Sequence, residues 1–302
     1  MTEVFPSYYP QFRCRADRCK HTCCRDWEID IDPKAREFYR TVGGAMGEKL
    51  RESIVDGEET ASFRLTRDKR CPFLLESGLC QLIVALGEQS LCQICTDHPR
   101  FRSFFSDRTE IGVGLCCEAA AELILSQTAP MTLCVQGEEA LTQEEQGLLT
   151  ARKHLLSVAQ HRASPLSERL DVLLERAQIS FAEMSGKDWY EVYITLERLE
   201  DDWADRLAVL KNAPSLTAPS ALDLPAEQLL CYFLYRHLTG ALDDGLLSPR
   251  IAFSVLSTLI VTTLWQYGTE HTAAQFYDLA RRYSAEIEYS DENVEALLDG
   301  MI

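Results

Sequence analysis

Cysteine is the residue type through which this chain can do chemistry, since eleven of its twelve cysteines lie within the first 134 residues. They come in groups: Cys14, Cys19, Cys23 and Cys24; Cys71 and Cys80; Cys92 and Cys95; Cys116 and Cys117. Spacings of three to four residues let one loop and one helical turn aim several sulfurs at a common centre. Tetrahedral zinc and a cubane iron–sulfur cluster both need that arrangement. The opening residues hold no basic segment followed by an apolar one, which predicts a cytoplasmic, reducing setting. Thiolate ligation then outweighs a disulfide framework. Adjacent Cys23 and Cys24 point different ways on most backbones, so they serve different centres or one is spare. Cys116 and Cys117 precede Glu118 at an expected strand-to-helix junction, where helix N–H groups lower a thiol pKa or donate to a cluster sulfide. Cys134 and Cys231, isolated on apolar faces, read as buried thiols. Spacing alone leaves iron and zinc both open.

The elements that must position these sulfurs divide the chain in two. Over residues 1–135 the pattern is broken by Gly and Pro, and it predicts a cysteine-rich α+β region with short strands. Period-two alternation marks strands in 27–32, 61–66 and 109–115, which are expected to pair into a small sheet. Short helices are expected over 33–40, 47–55, 79–86 and 118–125. Over 136–302 the periodicity becomes 3.6, predicting an all-α bundle and a mainly α fold. Thr142 and Glu145 form a capping-box pattern opening a helix to about residue 160. Ser164-Pro165 starts one through about Phe181, and Asp188 is expected to cap a long helix over 189–211. Further helices are expected over 225–238, 250–266, 271–287 and 291–300. Val42–Gly47, although glycine-rich, follows a helix and not a strand, so it reads as a turn and not a nucleotide loop.

The formal charge of −17 divides into −3 over residues 1–135 and −14 over 136–302. Such a surface repels nucleic acid and anionic lipid and favours a basic partner or a lysine-bearing substrate. The apolar stretch 251–265, inside the longest uncharged run, carries five Ser or Thr and falls short of the roughly 20 apolar residues of a bilayer span. It is expected to be a core helix, and no membrane is expected.

Several motifs occur in order: Tyr8-Tyr9-x2-Phe12-x-Cys14-x4-Cys19-x3-Cys23-Cys24-x2-Trp27-x-Ile29, then Cys71-Pro-Phe-Leu with Leu79-Cys80, then Cys95-x2-His98-Pro-Arg100, then Cys116-x-Glu118-Ala. Across about residues 5–125 this resembles the flagellin lysine-N-methylase family and shares features with cysteine-cluster proteins of the CxxCxxxCC type. The resemblance implies a protein-lysine N-methyltransferase acting on flagellin with S-adenosylmethionine and a [4Fe–4S] cluster. Its matched sulfurs, and hence the ligand candidates, are Cys14, Cys19, Cys23, Cys24, Cys71, Cys80, Cys95 and Cys116. Cys92 and Cys117 fall where the family pattern has no cysteine. Cys19-x3-Cys23 does not continue to the third cysteine of a radical S-adenosylmethionine motif, because Asp26 stands there.

Methyl transfer needs a neutral lysine amine, whose ordinary pKa is near 10.4. Tyr8, Tyr9, Glu110 and Glu118 are candidates for taking its proton. Arg100 could hold a carboxylate such as the methionyl end of S-adenosylmethionine, and His98 could hydrogen-bond a cluster or act as a base. Two alternatives remain: a non-catalytic zinc-stabilised module that binds a basic partner, and an iron–sulfur redox protein.

Overall fold

The computed structural model describes residues 2–57, 60–137 and 139–301. Packing separates the chain into two compact units, one of residues 13–101 and a larger one of residues 1–12 and 102–302. The chain opens with β1 (Thr2–Pro6) of the larger unit and then enters the smaller one.

In the smaller unit β2 (Asp30–Ile31) leads to α1 (Pro33–Thr41), capped by the Asp32 carboxylate, which accepts from Ala35 N–H at 2.9 Å. Proline at the first helical position suits this start, since its missing N–H would have had no intrahelical partner. The glycine-rich stretch is a turn only at Val42 and Gly43, because Gly44 to Gly47 already belong to α2 (Gly44–Ser53). Then β3 (Ile54–Asp56) and β4 (Ala61–Phe63) complete a sheet of order β2-β4-β3, antiparallel throughout. Two short helices follow, α3 (Gln81–Leu86) and α4 (Gln93–Asp97). The core packs Ile29, Ile31, Tyr39, Leu50, Phe63, Phe73 and Leu82 around Cys71 and Cys92.

The expected sheet forms only in part. Segments around 30–31 and 61–63 do pair, whereas the 109–115 strand joins another sheet. From β5 (Arg100–Phe104) the chain passes into the larger unit through β6 (Arg108–Val113), α5 (Glu118–Leu125) and β7 (Leu133–Gln136). The second sheet has order β5-β6-β1-β7, with β1 parallel to β6 and antiparallel to β7. The boundary expected near residue 135 therefore falls inside the larger unit, because strands from residues 2–6 and 100–136 share one ladder.

The helices of this unit follow the 3.6 periodicity. They are α6 (Gln143–Ala159), α7 (Leu166–Ala177), α8 (Gly186–Tyr193), α9 (Trp203–Leu207), α10 (Asp223–His237), α11 (Ala241–Asp244), α12 (Leu247–Tyr267), α13 (Ala273–Tyr283) and α14 (Asp291–Asp299). The Thr142/Glu145 capping box is present, but the expected helix 189–211 is not. Ser185 caps α8, with Asp188 as its capping-box partner at the third helical position. The chain unwinds after Tyr193 and resumes as α9. Glu286 accounts for part of this break: its oxygens accept from Leu199 N–H and Glu200 N–H, both at 2.8 Å, and so hold those amides out of a helical ladder. Likewise α7 ends at Ala177, short of Phe181, because Gln178 turns left-handed at φ 58°.

By length and composition α12 is apolar enough to cross a membrane, yet 78% of its apolar window is buried within the fold. It packs against α7, α10 and α13. Its buried hydroxyls are satisfied at home: Thr258 donates to Ser254 O at 2.9 Å, and Thr262 donates to Thr217 O at 2.6 Å.

Candidate metal centre and the cysteine network

Four backbone devices bring five thiols of the smaller unit together. First, Asp26 takes a left-handed φ of 67°, a conformation that Asp tolerates better than most residues. The chain reverses there, so that Asp26 N–H donates to Lys69 O (2.9 Å) and Cys71 N–H to Cys24 O (2.8 Å). Second, residues 74–80 form a tight hairpin in which Leu75 N–H donates to Leu79 O at 2.9 Å and Leu74 pairs with Cys80. Gly78 closes it at φ 83°, where an added Cβ would meet Asp17 Cα at 3.2 Å. Third, α3 runs from Cys80 to Gly87. The Ser90 hydroxyl then bridges the carbonyls of Gly87 (2.6 Å) and Leu82 (3.2 Å), turning the chain towards Cys92. Fourth, Cys92 is the N-cap residue of α4 and Cys95 lies in its first turn, with the two sulfurs 3.4 Å apart. Asp32 fixes that turn by accepting from Gln93 N–H at 2.7 Å.

Cys24, Cys71, Cys80, Cys92 and Cys95 lie close enough to feel one another's charge. Burial, followed by neighbouring thiolates, pushes Cys71 up to about 12 and raises Cys80. A hydrogen bond between Cys92 and Cys95 lowers the first and raises the second. Cys24 is brought down to about 7, chiefly by a hydrogen bond from Cys23, against its burial. These thiols cannot all ionise together unless a cation compensates them.

His98 lies one turn beyond Cys95. Its ring stacks on Trp27 with centroids 5.7 Å apart, and burial lowers its pKa to about 4, so the imidazole is neutral. Its Nε2 is buried and has no hydrogen-bond partner in the structure. A neutral, unpaired imidazole nitrogen three residues along the chain from Cys95 fits a thiophilic metal or an iron–sulfur group in donor type. The geometry is not closed, however: among the described residues no three Cys, His, Asp or Glu side chains are placed to hold a metal ion.

Of the other ligand candidates, Cys23 hydrogen-bonds Cys24 and so adjoins this group, while the rest are placed apart from it. Cys14 is exposed, and its sulfur accepts from Ala16 N–H at 3.4 Å. Half-buried Cys19 donates its N–H to Ala16 O at 3.2 Å, and exposed Cys23 gives its carbonyl to Trp27 Nε1 at 2.6 Å. Arg100 Nη1 donates to Thr96 O at 3.4 Å. Cys116 belongs to the larger unit. Burial pushes it up to about 12 there, opposed by a hydrogen bond from the Tyr289 hydroxyl and by the nearby Arg236 charge. Arg236 donates to Tyr232 Oη at 2.7 Å and pairs with Glu288, which also bonds His237 Nε2 at 2.7 Å.

The four proton-acceptor candidates separate as sharply. Tyr8 is 2% exposed, and burial raises its pKa well beyond the ordinary range. Glu110, 1% exposed, is held between Arg108 Nε at 2.7 Å and the Arg152 fork. Tyr9 is half-buried with its ring 5.5 Å from Phe5, and Glu118 is half-buried in the first turn of α5.

The sequence reading grouped Cys92 with Cys95 but left Cys92 out of the ligand candidates, although it lies in the same core. It also missed the Arg236, Glu288 and Tyr289 surroundings of Cys116, for which no local signal exists. These partners lie more than 100 residues further along the chain.

Comparison with known proteins bears on the cysteine pattern. Over 139 residues, 44% of its length, the chain is 22% identical to the Lysine-N-methylase of Salmonella choleraesuis (strain SC-B67) and to that of Salmonella typhimurium (strain LT2). It is likewise 22% identical, over 139 residues, to the Flagellar biosynthetic protein FliU of Salmonella muenchen. The chain is similar to lysine-N-methylases. The match spans about a third of the length of the two methylases (35%) and 82% of FliU. No family profile and no solved structure matches the chain.

Proposed function

We propose that the chain is a cytoplasmic protein-lysine N-methyltransferase that acts on flagellin with S-adenosylmethionine and carries an iron–sulfur centre in its smaller unit. The observation that carries this reading is the similarity to lysine-N-methylases, joined to the gathering of Cys24, Cys71, Cys80 and Cys95 around one core. Bound there, a [4Fe–4S] cluster would supply Lewis-acid or one-electron chemistry next to the substrate. Its ligands would come from those four residues.

This chain's own residues would bind and orient the lysine-bearing partner and manage its proton. The acidic half of the sequence, −14 over residues 136–302, attracts a lysine-bearing surface. Of the four proton-acceptor candidates, Tyr8 and Glu110 are almost fully buried, whereas Tyr9 and Glu118 are half-buried and are the two to test by substitution.

The 3.4 Å separation of Cys92 and Cys95 favours a second reading, a zinc-stabilised module. Four sulfurs at about 2.3 Å from one tetrahedral ion stand about 3.8 Å apart, whereas a cubane spreads its ligands over separate irons. The test is to incubate purified flagellin with the anaerobically reconstituted chain and isotope-labelled S-adenosylmethionine, then map its lysines by mass spectrometry. Labelled methyl groups on lysine support the methylase. A colourless chain with zinc, no acid-labile sulfide and unmodified flagellin supports the module.

A further inference from the structure

We propose that Cys92 and Cys95 form an oxidisable dithiol, whose closure to a disulfide takes Cys95 out of the donor set around the smaller unit's core. The argument rests on placement. The two sulfurs are 3.4 Å apart within one helical turn, so they need to approach by about 1.4 Å to reach a disulfide's 2.05 Å. Cys92 is fully buried and Cys95 is half-buried, which gives the pair the unequal access of an attacking and a resolving thiol. Ser90, Asp32 and the first turn of α4 hold both residues at the same place in the backbone.

The oxidant is a low-molecular-weight disulfide such as glutathione disulfide. Cys95, the more accessible thiol, gives up its proton as it attacks one of the oxidant's sulfurs; the oxidant's S–S bond breaks and one glutathione leaves with that proton. The Cys92 thiolate then attacks Cys95 Sγ, releasing the second glutathione thiolate. One S–S bond has formed for one broken. Two electrons have passed to glutathione, and the two thiol protons end on its sulfurs. This inference adds to the methylase reading and fails separately from it, since a disulfide forms or does not form whatever the chain methylates.

The test uses the full chain, reduced and isolated without oxygen, then equilibrated with mixtures of reduced and oxidised glutathione. Free thiols are trapped by alkylation, and peptides are mapped by mass spectrometry alongside metal analysis. The expected result is a peptide bearing an internal 92–95 disulfide, two hydrogens lighter than its reduced form. It should appear at a lower oxidant ratio than any other disulfide, reverse with dithiothreitol, and be accompanied by loss of bound metal. In Cys92→Ser the same treatment should leave a stable glutathione adduct on Cys95. The inference is overturned if both cysteines are still alkylated as free thiols after the other cysteines have oxidised. It is also overturned if either cysteine pairs elsewhere first, or if a retained metal protects both. The wild-type measurement decides the matter even where the variant does not fold.

Discussion

Glu110, Glu227 and Glu288 of the larger unit are each almost fully buried, and each is paired with at least one arginine. Glu110 has Arg108 and Arg152, Glu227 has Arg162 and Arg169, and Glu288 has Arg236 and His237. The smaller unit also buries reactive groups, but there five thiols crowd one another, and His98 Nε2 finds no partner. Internally matched charge is a structural device, because its energy is realised when the chain folds. Crowded thiols and an unpaired imidazole are in place without being satisfied, the condition expected of a site that something else completes. The same contrast separates the proton-acceptor candidates, since Glu110 belongs with the matched groups.

The comparison breaks most directly at Glu227. Its oxygens accept from Arg169 Nη1 at 2.6 Å and from Arg162 Nη2 at 2.7 Å with no exposure to solvent. Glu227→Ala strands one buried guanidinium and should cost about 3–5 kcal/mol in urea unfolding. A loss below about 1 kcal/mol would mean that these pairs do not hold the helical layer together. A smaller and opposite effect is expected in the smaller unit. Adding zinc or cadmium to the reduced, metal-free chain should stabilise it, by about 2.7 kcal/mol at a hundredfold excess over Kd, with a thiolate-to-metal absorption band. Cys71→Ser and Cys80→Ser should weaken both readouts, while Cys116→Ser should leave them intact. If Cys116→Ser abolished the band, the matched and unmatched sets would not divide as described.

How legible these features were depends on the range of the signal. Helices came through where a cap opens an apolar face, as at Thr142/Glu145, or where a long apolar run makes a core helix, as across 247–267. The break after Tyr193 was invisible, because Glu286, which claims the amides of Leu199 and Glu200, lies 86–87 residues away. The domain boundary was misplaced for a similar reason: β1 pairs with a strand about 106 residues later, and composition carries no record of that. The cysteine groups were plain in sequence. Which sulfurs share a core depended on the reversal at Asp26 and the hairpin at Gly78, so Cys24 and Cys71 were brought together while Cys14 stayed exposed.

His98 sharpens the contrast with an effect of about 1 kcal/mol. An unpaired buried polar atom costs stability, and replacing it with an apolar group of similar shape recovers part of that cost. In the metal-free chain His98→Phe keeps a ring for Trp27 to stack on and removes the orphaned nitrogen. Its unfolding midpoint should therefore be unchanged or slightly raised, and the stabilisation by added zinc should fall.

The smallest effect is one of pH and belongs to the larger unit. The Glu145 carboxylate accepts from the Ser106 N–H and hydroxyl, both at 2.6 Å, and from the Thr142 N–H at 2.8 Å. Those bonds, led by the Ser106 hydroxyl, lower its pKa to about 2, from an unfolded value near 4.3. A group depressed on folding stabilises the native state above its unfolded pKa and loses that contribution as pH falls through the folded one. The wild-type chain should therefore lose stability relative to Glu145→Gln between about pH 4.3 and pH 2, and the difference between the two should be constant above pH 5. Parallel curves through the acid range would show that Glu145 is no more than a solvated cap. The internal matching seen at Glu110, Glu227 and Glu288 would then be confined to the deeply buried carboxylates.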